Sequence, residues 1–216
     1  MISSQIDSLD KIFSGELQNG IITEISGLRG TGKTQLALQF AIEPLSNNKK
    51  ILFIDTTVEF RPERFLQMIQ SRNLPTSLLE NLHVSRVTDT QKQIEVLKSF
   101  EKDSFSLLII DNVTDLFSFE YSKKEHLIEK NLNFGNYMIN LSKLALSKNM
   151  PIIITNQILS YDEKNYERMH AQLENYVHQK IQLEKIKNNY ICKVLSPFIY
   201  ETKFDYIITN SGIEET

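Results

Sequence analysis

Apolar and polar positions follow two rhythms along this chain, and their order predicts its architecture. Residues 21–26 (IITEIS) and 51–55 (ILFID) are short runs rich in β-branched side chains, as strands are. Between them, residues 33–44 (KTQLALQFAIEP) carry apolar positions at helical spacing. The pattern repeats as a helix over 61–72 with Pro62 in its first turn, a short strand at 83–87 and an amphipathic helix over 90–101. The two most apolar runs, 105–111 (FSLLIID) and 151–155 (PIIIT), flank a long helical segment from about 129 to 148. Near-continuous apolar strands separated by helices predict an α/β fold with a mainly parallel sheet covered on both faces. After Thr155 the rhythm changes: 157–174 is polar and tyrosine-bearing, and 176–184, 190–195 and 204–209 read as strands in antiparallel hairpins added to the sheet edge. No internal repeat, low-complexity tract or Pro/Gly-rich linker interrupts the series, so one domain over 1–216 is expected.

Composition narrows the class. With 41% hydrophobic and 24% charged residues the chain is an ordinary globular protein, neither disordered nor a disulfide scaffold. Net charge of −3 gives no global basic field of the kind that coats nucleic acid. The single cysteine, Cys192, cannot form an internal disulfide and lies in an apolar stretch that predicts a packed side chain. No apolar run of about 18 residues occurs and the N-terminus lacks a signal-like pattern, so a soluble intracellular protein with no membrane partner is expected.

Glycine is informative because it is scarce. Only seven occur, and three fall between positions 27 and 32. There Gly27-Leu28-Arg29-Gly30-Thr31-Gly32-Lys33-Thr34 matches G-x-x-x-x-G-K-[ST] in full, after an expected strand and opening an expected helix. The chemistry such a loop serves is phosphate binding: backbone N–H groups turn inward, the helix N-terminus adds positive charge, Lys33 reaches the β- and γ-phosphates, and the Thr34 hydroxyl ligates Mg²⁺. The loop, with Gln35 next to it, is therefore the candidate nucleotide site. A carboxylate at the end of a buried strand would complete the Mg²⁺ shell. Asp111 after FSLLII is favoured for its longer strand further along the chain, with Asp55 after ILFI as the competing candidate.

The phrases ITEISGLRGTGKTQLALQFA, FIDTTVEFRPERF, LLIIDNVTDLF, YMINLSKLALSKNMPIIITNQI and ICKVLSPF, in that order, resemble the successive motifs of the RecA-type recombinases of archaea and eukaryotes. The resemblance runs over nearly the whole chain. It implies a RecA-like P-loop ATPase core using ATP and Mg²⁺, single-stranded DNA held by two loops, and a nucleotide at a subunit interface. It further implies Arg64 against the adenine, Asp111 as a Mg²⁺ ligand, Gln157 coupling the γ-phosphate to the second DNA loop, and His178 near the phosphates of a neighbouring nucleotide. Because the core-like IDSLDKIFSGELQNGIITEI begins almost at once, no N-terminal helical DNA-binding domain or polymerisation segment is expected. That short layout resembles the RadB-type recombinase paralogues, whose relatives assist filament assembly, and a long autonomous filament is not expected.

Two departures bear on activity. The family reads roughly D-T-E-G-T-F-R-P-E-R, its glutamate polarising the attacking water, where this chain has Asp55-Thr56-Thr57-Val58-Glu59-Phe60-Arg61-Pro62-Glu63-Arg64. Thr57 cannot act as that base near neutral pH, and Glu59, two positions on, is the candidate substitute. The loop at 159–173 also lacks the glycines of its recombinase counterpart. Binding of nucleotide with slow hydrolysis is the expectation.

For DNA, two polar segments follow strand ends, 118–130 (SFEYSKKEHLIEK) and 160–170 (SYDEKNYERMH). Lys123, Lys124, Lys164 and Arg168 are candidates for phosphate contact and Tyr121, Tyr161 and Tyr166 for base stacking, although acids in both segments equally suit a solvated surface. The expected role is an ATP-binding accessory protein of homologous recombination and DNA repair. Its expected partners are single-stranded DNA at modest affinity and a full-length recombinase or paralogue subunits, in a homo- or hetero-oligomer. The alternatives are a DNA-stimulated ATPase or minimal recombinase using Glu59, and a non-catalytic interaction module.

Overall fold

A computed structural model describes residues 2–99, 104–161, 164–196 and 199–216. The end of the helix expected over 90–101, and Asp162 and Glu163 of the second candidate DNA segment, lie outside the described residues. In chain order the elements are α1 (Asp7–Ile12), β1 (Ile22–Gly27), α2 (Lys33–Ser46), β2 (Ile51–Asp55), α3 (Pro62–Ser71), a 3₁₀ segment (Thr76–Asn81), β3 (Leu82–Arg86), α4 (Thr90–Ser99) and β4 (Leu107–Asp111). There follow α5 (Asp115–Glu120), a 3₁₀ turn (Lys124–His126), α6 (Leu127–Lys148), β5 (Ile152–Tyr161), β6 (Lys164–Glu167), α7 (His170–Leu173), β7 (Gln179–Ile186), β8 (Asn189–Ser196), β9 (Ile199–Ile208) and β10 (Ile213–Glu215).

These strands form a sheet in the order β10-β9-β8-β7-β1-β5-β4-β2-β3, with β6 paired to β5. The part from β7 to β3 is parallel throughout. Alternating side chains feed two cores, as the twofold period of a strand requires. Ile51 and Phe53 of β2, with Leu107 and Ile109 of β4, face the layer holding α2 and α3. Leu52 and Ile54, with Leu108 and Ile110, face the layer built by α6, α5 and Leu97 of α4. Both faces are covered, so the middle strands carry no polar alternation. Cys192 is buried on β8 within the first core, and burial pushes its thiol pKa up, consistent with a packed side chain.

The expected antiparallel hairpins are present, β7 with β8, β8 with β9 and β9 with β10, and β7 joins them to the core by lying parallel against β1. The structure corrects two expectations. The strand expected at 151–155 continues to Tyr161 and turns back through β6, so the second polar segment is a β-hairpin rather than an open loop. The first polar segment is largely helical, with α5 reaching Glu120 and α6 starting at Leu127. No helix among the described residues is long and apolar enough to cross a membrane.

Candidate nucleotide site

The site forms where β1, β4 and β5 end. In a parallel sheet the carboxyl ends of strands lie together, and the helices that follow start there. β1 ends at Gly27 and α2 starts at Lys33, so Leu28 to Gly32 must turn within five residues. Two glycines allow it, Gly30 at φ +80° and Gly32 at φ +95°. Gly27 is required for space instead: a Cβ there would lie 2.5 Å from the Leu183 carbonyl oxygen and 2.6 Å from Thr31 Oγ1. The loop is tied down from below, because the Tyr206 hydroxyl of β9 donates to the Thr31 carbonyl at 2.6 Å and Thr31 Oγ1 donates to the Leu28 carbonyl at 2.9 Å.

Lys33 Nζ donates to the carbonyls of Gly27 and Leu28, both at 3.0 Å, and so folds back over the loop. Burial lowers its pKa, opposed by the carboxylates of Asp111, Asp115 and Glu59. Thr34 Oγ1 donates to Asp111 Oδ2 at 2.6 Å, and Thr155 Oγ1 of β5 donates to Asp111 Oδ1. Asp111 is buried, and that burial raises its pKa in spite of both hydroxyls and Lys33. Asp55 is its neighbour in register, but its carboxylate turns to its own loop. It accepts from the Thr57 backbone N–H and hydroxyl, each at 3.1 Å, and from the Phe60 N–H at 3.2 Å, with Arg86 3.4 Å away. Of the two competing carboxylates, Asp111 is the one in contact with the phosphate-type loop.

A cavity of about 890 Å³ opens above these groups, lined by Arg29, Lys33, Thr34, Gln35, Asp111 and Gln157 among others. Arg29 and Glu59 form an exposed ion pair at 2.8 Å on its rim. Gln157 sits directly beside Gly27 in the β1–β5 register. Arg64 also lines the cavity, but its guanidinium is held by Gln35 Oε1 at 2.7 Å and by the Thr209 carbonyl. Sequence reasoning missed the Thr209–Gly212 turn as part of this wall, since it is 145 residues from Arg64 along the chain. It also missed Thr155 and Tyr206, which no local motif marks.

Other candidates fall elsewhere. His178 stands at the opposite end of β1, its Nδ1 accepting from the Ile22 N–H at 3.4 Å, and does not join the site. Arg168 is paired with Asp115 at the cavity wall. Tyr121 is half-buried against the second core and accepts from Asn133 Nδ2 at 2.8 Å, so it is not a free stacking face. Tyr166, Lys123 and Lys124 are exposed, and the side chains of Tyr161 and Lys164 lie outside the described residues.

Beneath the hairpin lies a buried polar cluster that carried no sequence signal. Glu24 of β1 accepts from Asn156 Nδ2 at 3.0 Å and meets Glu167 of β6, while Lys180 of β7 bridges both carboxylates. Burial first, and Glu167 second, push the Glu24 pKa up to about 8. Glu167 is held low by its bonds to Glu24 and Lys180.

A mostly parallel sheet with antiparallel C-terminal strands, covered on both faces and carrying this loop between β1 and α2, defines the RecA-like class of P-loop nucleotide-binding domains. The family model described as Rad51 matches residues 1–216, and the chain belongs to that family. It is similar to "DNA repair and recombination protein RadB" of Thermococcus sibiricus, 28% identical over 226 residues covering 100% of this chain and 95% of that protein. It is also similar to "DNA repair and recombination protein RadA" of Cenarchaeum symbiosum, 29% identical over 171 residues, 74% of this chain and 43% of that protein. The RadA of Methanococcus maripaludis strain C6 is 30% identical over 179 residues, 73% of this chain and 56% of that protein. Against these RadA relatives the match thus spans about half of their length.

Proposed function

We propose that this chain is an ATP-binding accessory protein of homologous recombination and DNA repair, which uses nucleotide state to set its grip on single-stranded DNA or on a recombinase. The observation that carries the reading is the pairing of a complete phosphate loop with Thr57 where the family pattern has its glutamate. The Thr57 hydroxyl is bonded to Asp55, whereas Thr34 and Asp111 are already in contact at 2.6 Å. The residues fit ATP and Mg²⁺. Gly27 leaves a cradle that a Cβ would fill, Lys33 and the Gly32 end of α2 offer positive charge, and Thr34 with Asp111 offers the hard oxygen ligands Mg²⁺ prefers.

Lys33 would exchange its two carbonyl partners for β- and γ-phosphate oxygens. Thr34 and Asp111 would hold Mg²⁺, with Gln35 and Arg64 placed on the base side of the cavity. ATP supplies the γ-phosphate whose presence or loss distinguishes two states. Gln157 would read that difference, and because it belongs to the same strand as Ile158 to Tyr161, a shift there is carried directly into the β5–β6 hairpin. Loss of a positioned carboxylate base typically costs about 10²- to 10⁴-fold in rate, so hydrolysis should be slow. The test compares binding to single-stranded DNA and to a full-length recombinase with and without ATP, in wild type and Lys33→Ala. Binding that responds to ATP only in wild type supports the reading, and equal binding in all four cases overturns it.

A second reading follows from Glu59, which lies on the cavity rim 2.8 Å from Arg29: a DNA-stimulated ATPase with Glu59 as the base. Turnover that rises with single-stranded DNA and is lost in Glu59→Gln would favour it, and turnover indifferent to that change removes Glu59 from the chemistry.

A further inference from the structure

Helix α6 carries a second apolar stripe, separate from the face it turns to the core. Its buried positions, Phe134, Tyr137, Met138, Leu141 and Ala145, form the usual core-facing face. At about 100° per residue, Ile128, Leu132, Ile139 and Leu146 fall together well off that face. They are 76%, 63%, 39% and 71% exposed. With Gly135 and Ser142 the stripe repeats at intervals of four and three residues, the spacing of a coiled-coil seam. Neighbouring exposed positions, Asn136, Asn140 and Lys143, are polar, so the helix is not merely apolar all round.

Gly135 is an independent observation. Glycine inside a helix is destabilising, and this chain has only seven. Nothing within the fold demands one here: its φ is not positive, and an added Cβ would meet only the Tyr176 hydroxyl, at 3.9 Å. Its notch lies in the middle of the exposed stripe, where it would admit a side chain from outside.

We propose that a second copy of this chain packs antiparallel along α6, about a twofold axis level with Tyr137. The stripe is self-complementary about that point. Positions nine residues either side are Ile128 and Leu146, five either side Leu132 and Ser142, two either side Gly135 and Ile139. Each Ile139 therefore seats over the other copy's Gly135, and each Ile128 meets the other copy's Leu146. The charges agree. On one flank of the seam lie Glu129, Asn136 and Lys143, and in an antiparallel pair these flanks face each other. Glu129 of one copy then lies within about two residues, or roughly 3 Å of helix rise, of the level of Lys143 in the other, and the twofold makes that pair twice. Among the described residues no hydrogen bond or ion pair engages either side chain. A parallel arrangement would leave both charges unmatched, because the opposite flank carries Asn131, Met138 and Ala145.

Sedimentation equilibrium of the whole chain over a range of concentrations tests this. Wild type should form a dimer and no larger species through this face. Ile139→Glu and Leu132→Lys, each checked for an unchanged circular-dichroism melt, should weaken it by about tenfold or more. Glu129→Lys and Lys143→Glu should each weaken it, and the double exchange should restore it. A wild-type chain that stays monomeric, a dimer indifferent to both apolar substitutions, or a double exchange that restores nothing overturns the proposal. So does capture of a different protein through Ile139 by a chain that does not self-associate.

Discussion

Thr34 Oγ1 donates to Asp111 Oδ2 over 2.6 Å, which joins the first turn of α2 to the end of β4 across the mouth of the cavity. Hydroxyl and carboxylate hold each other where a divalent cation would take both. Asp111→Asn keeps the hydrogen bond but removes the charge, so it should leave Mg²⁺-independent nucleotide binding nearly intact while abolishing the gain on adding Mg²⁺. Asp55→Asn should not touch that gain, since its carboxylate serves the 57–60 loop and Arg86. Isothermal titration with and without Mg²⁺ separates the two, and a Mg²⁺ response lost in Asp55→Asn but kept in Asp111→Asn would reverse the assignment.

Tyr206 reaches from β9 to the Thr31 carbonyl at 2.6 Å, and Thr31 is fully buried. Tyr206→Phe leaves that acceptor without its partner, a loss of about 1–3 kcal/mol. It should appear as a lower denaturant midpoint and as weaker nucleotide binding, because the loop loses the strut beneath it. A cost below about 0.5 kcal/mol would mean that Thr31 finds another donor.

How much of this was legible in the sequence depends on how local the cause is. The strands at 51–55 and 107–111 and the helices after residues 33 and 62 follow from burial on both faces or on one, which composition and period record directly. Chain direction within the sheet leaves no such mark, so the parallel placement of β7 beside β1 could not be read. The extension of β5 was hidden for a related reason. Asn156, Gln157 and Ser160 are polar, yet the strand is held by backbone pairing, to β1 as far as Gln157 and to β6 beyond it, which leaves no mark in side-chain pattern. In the site, the loop was complete on the page because its function is written in consecutive residues. Asp111 and Asp55 could not be separated with certainty because they are register neighbours, and only the position of Thr34 divides them. Thr155, Tyr206 and the Thr209–Gly212 turn come from distant strands and carry no local signal.

Val58 stands at φ +59°, a left-handed conformation that a β-branched side chain disfavours, at the position where the resemblance has glycine. Glycine at this position would take the same conformation without that steric cost. Val58 is half-exposed and gives up little packing, so Val58→Gly should stabilise the chain by about 1 kcal/mol, net of the greater freedom of the unfolded glycine. In a chain of this length that is roughly 2–4 °C in melting temperature. Calorimetry at one scan rate checks it, and a lower melting temperature would show that the side chain contributes more than its backbone costs.

The cluster under the hairpin makes stability depend on pH in a stated direction. Glu24, buried among Asn156, Glu167 and Lys180, has its pKa raised from 4.5 to about 8, with burial as the main cause. Above pH 4.5 the unfolded chain releases this proton while the folded chain keeps it, so the unfolded state binds fewer protons and stability falls as pH rises toward 8. Below 4.5 both states are protonated and this contribution is flat. Glu167, whose pKa is lowered, works the other way: its contribution is present above the ordinary carboxylate range and fades as pH falls below it. Between pH 5 and 8 Glu167 is ionised folded or unfolded, so Glu24 alone of the pair sets the slope. Glu24→Gln can still accept from Asn156 and donate to Glu167, and it removes the titration. Urea unfolding of both proteins across this range should show wild type losing stability relative to Glu24→Gln as pH increases. Parallel curves would mean that Glu24 is ionised in the folded chain, with Lys180 rather than a proton balancing the two carboxylates.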